Sequence, residues 1–448
     1  MITKIKWDNH PILGNLKLNF TKSNGEPYNT IILAGENGTG KTAVLETLSA
    51  FLSRSTMTPF DYIDYCIADN HYHIYSPNEN DKSMGFHIRK NIDDGTEVQI
   101  RNNHNNNAKR IETDLADLRH YGFAYSSARS NFKTKPITGS TTEQLDNNKY
   151  NVDVQDDFTS IKQLIVDIDT QDNSSWMRIA KKSENISYEE FKQTSKMYRF
   201  EKAFNNFFEK LKFKEVDNIS SNREAKIIFE KNGKVIPIDN LSTGEKQIVF
   251  RGTQLLRNSN TLNGGIILID EPELSMHPQW QEKILDYYRG LFCQNNAQTV
   301  QMIFATHSQY VLKSALNDRN NVQIITLSEN NGCIKENIIN APTTLPVITA
   351  AETNYLAFNI YSVDYHIELY GYLQAKINKT KIKECDDYIL SQPEFNRSLH
   401  SKISSFKNTQ YKTLCTYIRN AINHPDSGNS YTPEELKRSI ELLIKLCQ

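Results

Sequence analysis

The chain has 448 residues, more than one average domain, and is long enough for a large core with an appended domain. Its 52 Lys and Arg residues nearly balance 53 Asp and Glu residues, so the net charge of −1 excludes global basic attraction to nucleic acid but not a local basic patch. Six scattered cysteines without a Cys-x-x-Cys pair argue against zinc and against a disulfide scaffold, and predict a cytoplasmic location. Because no apolar stretch approaches the length of a membrane span, we expect no membrane partner.

The first 34 residues alternate apolar and polar side chains in short runs. Ile2 and Ile5 belong to one run, and Leu16 and Leu18 belong to the next. A period of two is typical of strands with one buried face. We therefore predict an antiparallel edge sheet at the start of the chain, followed by a buried strand over residues 30–34.

A glycine-rich loop, Gly-Glu-Asn-Gly-Thr-Gly-Lys-Thr, follows that strand over residues 35–42. A helix is predicted from Thr42 to Leu52, so the loop joins a strand to a helix N-terminus, as in a Walker A motif. Its backbone N–H groups would surround phosphates, Lys41 would reach the β- and γ-phosphates, and the Thr42 hydroxyl would ligate Mg²⁺. The loop residues that we predict to bind the nucleotide are Gly35, Asn37, Gly38, Gly40, Lys41 and Thr42.

A long segment separates this loop from the next nucleotide motif, and we place a helical insertion there at about residues 140–225. Phenylalanines recur at roughly helical spacing over residues 186–211, which predicts an aromatic-rich packed helix or, alternatively, a stacking platform for nucleic acid. Asn232-Gly233 then predicts a hairpin turn. Before the insertion, Arg129 is a candidate for either a phosphate contact or a surface position.

The segment Leu-Ser-Thr-Gly-Glu over residues 241–245 resembles the signature sequence of ABC-type ATPases. Ser242 and Glu245 have the spacing of a capping box, so a helix N-cap is the structural explanation. A serine hydroxyl and a glycine at a helix N-terminus also form an anion site, and the two roles are compatible. We predict that Ser242, Gly244 and Glu245 contact the nucleotide of a second protomer, when two protomers meet head to tail.

Four apolar residues, 266–269, lead into Asp270 and Glu271, as expected of a buried parallel strand that delivers carboxylates at its carboxyl end. We predict that Asp270 holds Mg²⁺ together with Thr42, and that Glu271 polarises the attacking water. Another apolar run, over residues 300–305, ends near His307, which we place against the γ-phosphate. The predicted catalytic residues are therefore Glu271, Lys41 and His307.

The pattern changes at about residue 340, so we divide the chain into an ATPase domain over residues 1–340 and a helical C-terminal domain over residues 341–448. Helices are predicted over residues 362–377 and 432–447. Arg419 and His424 stand five apart, which is the spacing seen in HEPN-type ribonucleases and would suit metal-independent RNA cleavage. The alternative is a helix cap or a surface that docks a partner.

The order of these motifs resembles the ABC-type ATPases of bacterial defence and repair, which include the SMC, RecF and overcoming-lysogenisation-defect groups. The resemblance implies an α/β fold, with a P-loop ATPase head built on a mixed sheet, an antiparallel edge sheet and a helical insertion. It implies ATP and Mg²⁺ as cofactors and self-association as a head-to-tail dimer or a larger assembly of dimers. The insertion lacks sustained heptads, which separates the chain from SMC proteins themselves.

The tail segments 351–358, 365–372 and 418–425 further resemble PtuA, the ATPase subunit of Septu anti-phage systems. That resemblance implies a separate HNH nuclease partner, similar to PtuB, and contact with nucleic acid through the complex. Two alternatives stay open: a self-contained ribonuclease of the HEPN type and a DNA-binding repair ATPase of the RecF type. A Toprim-type nuclease is disfavoured because its acidic motifs have no counterpart after His307.

Overall fold

The computed structural model describes most residues of the chain. These are residues 1–54, 60–78, 86–101, 108–126, 158–182, 187–217, 225–256, 264–274, 276–294, 297–330, 332–339, 344–406 and 409–448. They form two compact units, Met1–Ile338 and Ile339–Gln448.

The first unit contains both strands and helices, and the second unit is mainly helical. The strands, in chain order, are β1 (Ile2–Lys6), β2 (Lys17–Asn19), β3 (Thr30–Ala34), β4 (Tyr62–Ile67), β5 (Asn70–Tyr75), β6 (Phe86–Asn91), β7 (Glu97–Arg101), β8 (Lys109–Arg110), β9 (Phe123–Ser126), β10 (Leu211–Asp217), β11 (Lys226–Lys231), β12 (Lys234–Pro237), β13 (Ile266–Asp270), β14 (Cys293–Gln294), β15 (Ala297–Gln298), β16 (Gln301–Thr306), β17 (Val322–Asn330), β18 (Cys333–Ile338), β19 (Ser401–Phe406) and β20 (Thr409–Thr413). The α-helices are α1 (Lys41–Leu52), α2 (Phe158–Lys181), α3 (Tyr188–Thr194), α4 (Lys196–Phe207), α5 (Thr243–Leu256), α6 (Pro278–Gln281), α7 (Ile284–Leu291), α8 (Gln309–Leu316), α9 (Ala350–Phe358), α10 (Val363–Lys376), α11 (Ile382–Ser391), α12 (Arg397–His400), α13 (Leu414–Asn423) and α14 (Pro433–Cys447).

A six-stranded sheet, in the order β18-β17-β3-β16-β13-β9, positions the predicted nucleotide motifs. Its neighbours are parallel except for β17 and β18. The central strands are runs of buried apolar residues, as is typical of a parallel sheet. Register pairs Asp270 with Ala305 and Thr306 with Ala34, so β3, β13 and β16 end side by side. The glycine-rich loop, Asp270 and His307 therefore follow strands at one edge.

A second sheet has seven strands in the order β2-β1-β4-β5-β6-β7-β8. Neighbouring strands are antiparallel except for β7 and β8. Ile5, Ile63 and Ile74 are fully buried on its inner face and join the main apolar core. The predicted antiparallel edge sheet is thus confirmed, and the α/β fold class with it. The sheet extends well beyond the first 34 residues.

The insertion contains more helices than the sequence predicted. One helix over residues 186–211 was wrong in detail, because Ser195 adopts an extended conformation (φ −72°, ψ 150°) between α3 and α4. The Ser195 side chain accepts the N–H of Tyr198 and so begins a new helix. Phe204 is fully buried and packs against Phe208 and Phe229, with ring centroids 4.8 and 5.2 Å apart. These rings belong to the core, which removes the stacking platform proposed for them.

Two local predictions near the signature segment are confirmed. Asn232 and Gly233 have φ values of 52° and 77°, so the chain reverses at a turn between β11 and β12. The capping box also forms, since the Ser242 N–H donates to Glu245 Oε2 at 2.8 Å. The hydroxyl of Ser242 accepts the Glu245 N–H at 3.4 Å in return.

The second unit has its own apolar core, to which Leu369, Ile418 and Leu443 contribute fully buried side chains. The predicted helices appear as α10 and α14, the latter opened by a capping box between Thr432 and Glu435. This unit is not wholly helical, because β19 and β20 form a hairpin inside it. Within the described chain, none of the helices combines the length and apolarity that crossing a bilayer requires.

Candidate nucleotide site

The glycine-rich loop is held against neighbouring chain segments at two positions where a side chain would not fit. A Cβ on Gly35 would lie 2.3 Å from the carbonyl oxygen of Leu327. Gly40 has φ +83°, and a Cβ there would lie 2.5 Å from the Leu13 side chain. The loop therefore needs glycine both for its conformation and for close packing. It ends at the N-terminus of α1, where unpaired N–H groups favour phosphate.

Lys41 is folded back over this loop. Its Nζ donates to the carbonyl oxygens of Gly35 at 2.8 Å and of Glu36 at 2.7 Å. Only 7% of Lys41 is exposed, and burial lowers the pKa of its ammonium group, although nearby carboxylates including Asp270 and Glu271 oppose that shift. An ammonium held by two loop carbonyls points into the loop that would surround phosphates.

Oxygen atoms suited to a hard cation meet beside the lysine. The Thr42 hydroxyl donates to Asp270 Oδ2 at 3.0 Å, and the Tyr125 hydroxyl lies 3.5 Å from the same oxygen. Burial raises the pKa of Asp270, the Thr42 hydrogen bond lowers it, and the Glu271 charge raises it further. Excess negative charge around a hydroxyl and a carboxylate fits Mg²⁺, which takes few protein ligands and completes its shell with phosphates and water.

No ready-made cluster of three or more His, Cys, Asp or Glu ligands occurs in the part of the chain that the structure describes. The residues predicted from sequence, Thr42 and Asp270, are brought together.

Glu271 has an unusual backbone conformation directly after β13. Its φ is +46°, in the left-handed region that costs a non-glycine residue about 1–3 kcal/mol. The conformation is fixed from both sides, because the Glu271 N–H donates to Ala305 O at 2.9 Å and its carbonyl accepts from Arg251 Nη1 at 3.0 Å. Arg251 is fully buried on α5, the helix that begins at the signature segment. Sequence reasoning missed this contact.

His307 and Glu271 approach each other at the same edge. His307 Nδ1 lies 3.5 Å from Glu271 Oε1 and 3.5 Å from Glu273 Oε1. Glu273 is 3% exposed, and its Oε1 accepts the Thr306 hydroxyl at 2.7 Å and the His307 N–H at 3.0 Å. The buried Glu273 therefore fixes the backbone that carries His307, while the side chains of His307 and Glu271 stay partly exposed.

In the signature segment, the Ser242 hydroxyl and the Glu245 carboxylate differ in their exposure to solvent. Ser242 is exposed at the start of α5, whereas Gly244 and Glu245 are buried. Burial alone would raise the pKa of Glu245, but hydrogen bonds from Lys231, at 2.7 Å, and from Ser242 lower it on balance. The carboxylate is occupied within its own chain, so any nucleotide contact here must come from Ser242 and from the backbone. The nucleotide roles of Ser242, Gly244 and Glu245 stay predictions.

Arg419 and His424 lie at the end of α13 in the second unit. Arg419 Nη1 donates to Asn420 Oδ1 at 3.1 Å. With the Asn423 amide turned so that its oxygen faces the guanidinium, Oδ1 accepts from Arg419 Nε at 3.1 Å and from Nη2 at 3.2 Å. His424 is the C-cap of the helix and precedes Pro425. The guanidinium is thus engaged by neighbouring amides on its own helix.

One position named from the sequence lies outside the described residues. It is Arg129, the candidate phosphate contact before the insertion.

A family model described as "AAA domain, putative AbiEii toxin, Type IV TA system" matches residues 31–313, which is more than half of the chain. The chain belongs to this AAA-domain family. The match includes the loop of Lys41, the signature segment and the strands that lead to Asp270 and His307. For this AAA-domain protein, the nucleotide motifs and the family assignment therefore coincide.

Two curated relatives carry the word ATPase in their names. Retron Vc95 probable ATPase of Vibrio cholerae serotype O1 biovar El Tor is 37% identical over 98 residues, covering 20% of this chain and 18% of the relative. Retron Ec83 probable ATPase of Escherichia coli is 32% identical over 155 residues, covering 32% and 26%. The matched segments span only a minor part of either relative.

Solved structures of SMC heads also align with the AAA-domain protein. A SMC head bound to the C-winged helix domain of ScpA gives a TM-score of 0.38 at 13% identity, over 75% of this chain and 97% of that one. The SMC head domain from Thermotoga maritima gives 0.36 at 12% identity, over 75% and 98%. Because these TM-scores and identities are low, the site residues are assigned from the residues of this chain and not from the SMC heads.

Proposed function

We propose that the protein binds ATP with Mg²⁺ and hydrolyses it. The observation that carries this proposal is the meeting of Thr42 and Asp270, 3.0 Å apart, beside Lys41 and the left-handed Glu271. A catalyst of phosphoryl transfer needs little more than positioned charges, a cation and an oriented water. Two relatives are named probable ATPases, and the chain belongs to an AAA-domain family. Both findings support the same activity.

Each residue has a definite role in this proposal. Lys41 binds the β- and γ-phosphates, and Thr42 and Asp270 hold Mg²⁺, which neutralises phosphate charge when bound. Glu271 orients the attacking water and accepts its proton. His307 contacts the γ-phosphate from the neighbouring strand end, at the position that Glu273 fixes.

We propose further that two protomers meet head to tail around ATP. The exposed Ser242 at the start of α5 and the N–H groups of that helix turn would meet the γ-phosphate of a partner protomer. Glu245 would act indirectly, because its carboxylate holds the Ser242 N–H. The test is the mass of the Glu271→Gln protein with ATP and with ADP, in which an unchanged monomer in both would contradict the dimer.

The biological setting that we propose is cytoplasmic anti-phage defence, in which this chain is the regulatory ATPase of a separate HNH nuclease. The retron names of two relatives and the toxin–antitoxin description of the family favour a defence system. The tail segments that resemble PtuA favour the nuclease partner, which would dock on residues 339–448. Nucleotide occupancy would keep the nuclease silent, and nucleotide loss during infection would release it.

The decisive experiment is to purify the full chain together with the products of its neighbouring genes, with a Glu271→Gln form as a matched sample. We expect an HNH protein to co-elute, and to be lost from a chain that lacks residues 339–448 while the ATPase rate stays close to that of the full chain. Co-elution that persists after removal of the tail contradicts the docking site. Absence of any nuclease in the purified complex contradicts the regulatory role.

The competing function is an embedded ribonuclease. Against it, the guanidinium of Arg419 already donates to amides of Asn420 and Asn423. RNA degradation by the purified chain, lost in both Arg419→Ala and His424→Ala, would establish the ribonuclease and replace the docking account.

A further inference from the structure

The outer face of the seven-stranded sheet carries a row of aromatic and basic side chains that the nucleotide site does not use. Strand pairing sets Lys17 beside Lys6 and sets Lys6 beside Tyr62. Tyr62 in turn pairs with Tyr75. Directly paired residues point to the same face of a sheet, so these four side chains form one continuous row across β2, β1, β4 and β5.

The row continues toward the far edge of the sheet with further cations. Tyr75 pairs with Ile88, and Phe86 lies two residues earlier on the same face of β6. Phe86 pairs with Arg101, which pairs with Arg110 on β8. Lysines thus flank the aromatic centre on one side and arginines on the other.

This face is directed away from the core. Alternate residues of the same strands, among them Ile5, Ile63 and Ile74, are fully buried on the inner face. On the outer face Lys17 and Arg110 are exposed, and Tyr62 and Tyr75 are partly exposed. Six strand spacings of about 4.8 Å make the row about 29 Å long, which is room for several nucleotides.

Three rings at the centre of the face lie next to one another, tilted rather than coplanar. The ring of His73 lies 5.0 Å from that of Tyr62 and 5.4 Å from that of Tyr75, centroid to centroid. The His73 ring is steadied by Asp64, whose Oδ1 lies 2.6 Å from Nδ1. Partly exposed rings on a sheet surface offer their faces to unpaired bases, and each stacked base contributes substantially to affinity.

The charges on the face are unevenly distributed along the strands. Three aspartates, Asp69, Asp93 and Asp94, lie at the turns β4–β5 and β6–β7, and Asp64 lies nearer the row, beside His73. At the opposite end, Lys6 pairs with Asp61 at 2.7 Å, and no described carboxylate pairs with Lys17. A phosphate backbone would therefore follow the end of the sheet that carries the row and avoid the turns.

We propose that this row binds single-stranded nucleic acid. Bases stack on Tyr62, His73 and Tyr75, and the backbone phosphates lie near Lys17, Lys6 and the arginines of β7 and β8. A duplex is a poor fit, because its bases are already stacked and its edges do not lie flat on a sheet. The inference does not depend on ATP hydrolysis, since none of these residues belongs to the nucleotide site.

The test is fluorescence anisotropy of the full chain with labelled oligothymidine and oligouridine of about 15 nucleotides, and with a duplex of equal length. We expect both single strands to bind. Tyr75→Ala should weaken binding about tenfold or more, and Tyr75→Phe should stay within about twofold of the original because the ring is kept. Tyr188→Ala, at an exposed tyrosine of α3, is the matched control and should change nothing.

Charge is tested separately by salt titration. Lys17→Gln should reduce the slope of log affinity against log salt by about 0.7, the value for one phosphate contact on a single strand. Lys41→Ala should bind the oligonucleotides normally, so a failed ATPase assignment and a failed nucleic-acid surface give different results. Equal affinity of Tyr75→Ala and the original chain, or a duplex bound as tightly as a single strand, would overturn the proposal.

Discussion

In the first unit, polar residues gather where the strands of the six-stranded sheet end, at the nucleotide edge. In the second unit, polar residues gather in the interior around Asp386. The two clusters contain similar residue types but differ in how far their charges are compensated by neighbouring groups. In the second unit, Asp386 accepts the N–H groups of Lys412 and Thr413 and the Thr413 hydroxyl, at 2.7–3.0 Å. At the nucleotide edge, four acidic residues lie near the buried Lys41, and Asp270 accepts two hydroxyl groups. One cluster is satisfied within the protein, and the other has negative charge in excess.

This difference separates structural polar groups from candidate ligand-binding ones. A fully satisfied cluster such as that of Asp386 specifies packing and has no unmet demand for a ligand. An acidic cluster at the ends of parallel strands gains from a cation and from the phosphates that the cation brings. Each variant below changes one side of this contrast.

The largest effect is expected from Lys41→Ala. It removes the buried ammonium at the loop, and we expect ATP affinity to fall by about 100-fold or more because a charge-assisted contact to phosphate is lost. Isothermal titration with ATP measures the loss, with Lys335→Ala on the exposed edge strand β18 as control. ATP affinity equal to that of the unaltered chain would remove the phosphate role of Lys41.

The next largest effect concerns Glu271→Gln. The variant keeps the shape and the left-handed backbone but cannot accept a proton, so hydrolysis should fall by about 100-fold or more while ATP binding is retained. Phosphate release measures hydrolysis, and a fluorescent ATP analogue measures binding. Hydrolysis at an unchanged rate would show that another group activates the water.

A smaller effect is expected from Arg251→Met. Met preserves most of the buried volume but removes the hydrogen bond to the Glu271 carbonyl at 3.0 Å. We expect kcat to fall about tenfold with KM nearly unchanged, because the bond is of the charged type that contributes about 1.5–3 kcal/mol. Arg251→Lys should recover part of kcat. A loss of ATP affinity together with kcat would indicate general damage to the fold instead.

The smallest effect lies elsewhere in the second unit, at the buried His366, and depends on pH. Burial lowers the pKa of His366 to about 3, from 6.5, and its Nε2 lies 2.9 Å from the Ser439 hydroxyl. As pH falls below 6.5 the unfolded chain takes up this proton first, so the second unit loses stability by up to about 1.4 kcal/mol per pH unit. Hydrogen exchange of α10 peptides, corrected for the intrinsic pH effect, measures it. His366→Gln should flatten the dependence, and an equal slope in both proteins would contradict the assignment.

The sequence predicted the nucleotide strands and loop well because their signals are local. Apolar runs over residues 30–34 and 266–269 mark buried strands, and the glycines of residues 35–40 mark a loop that only glycine can form. The parallel order of these strands then follows from general rules for such sheets, which place their carboxyl ends at one edge. Hence the sequence alone could predict that Thr42 and Asp270 lie close together.

What the sequence could not predict depends on distant contacts. Arg251 interrupts an apolar helical face, which is a weak sign of a buried partner, but the partner is a backbone carbonyl with no residue signature. The break at Ser195 was hidden because the phenylalanines on both sides keep helical spacing. Tyr125 is the third residue of the short strand β9 and is brought to Asp270 by the pairing of β9 with β13.

Gly252 allows α5 to pack closely against α7. A Cβ there would lie 1.9 Å from the Tyr287 hydroxyl, which donates to Ile248 O at 2.8 Å, so α5 and α7 are interlocked. The same helix α5 also grips the carbonyl of Glu271 through Arg251. The segment that runs from Glu271 to α7 is therefore held by α5 at both of its ends. A displacement of α5 would therefore act on Glu271, the residue that we propose to orient the water, through the Arg251 hydrogen bond as well as through the sheet.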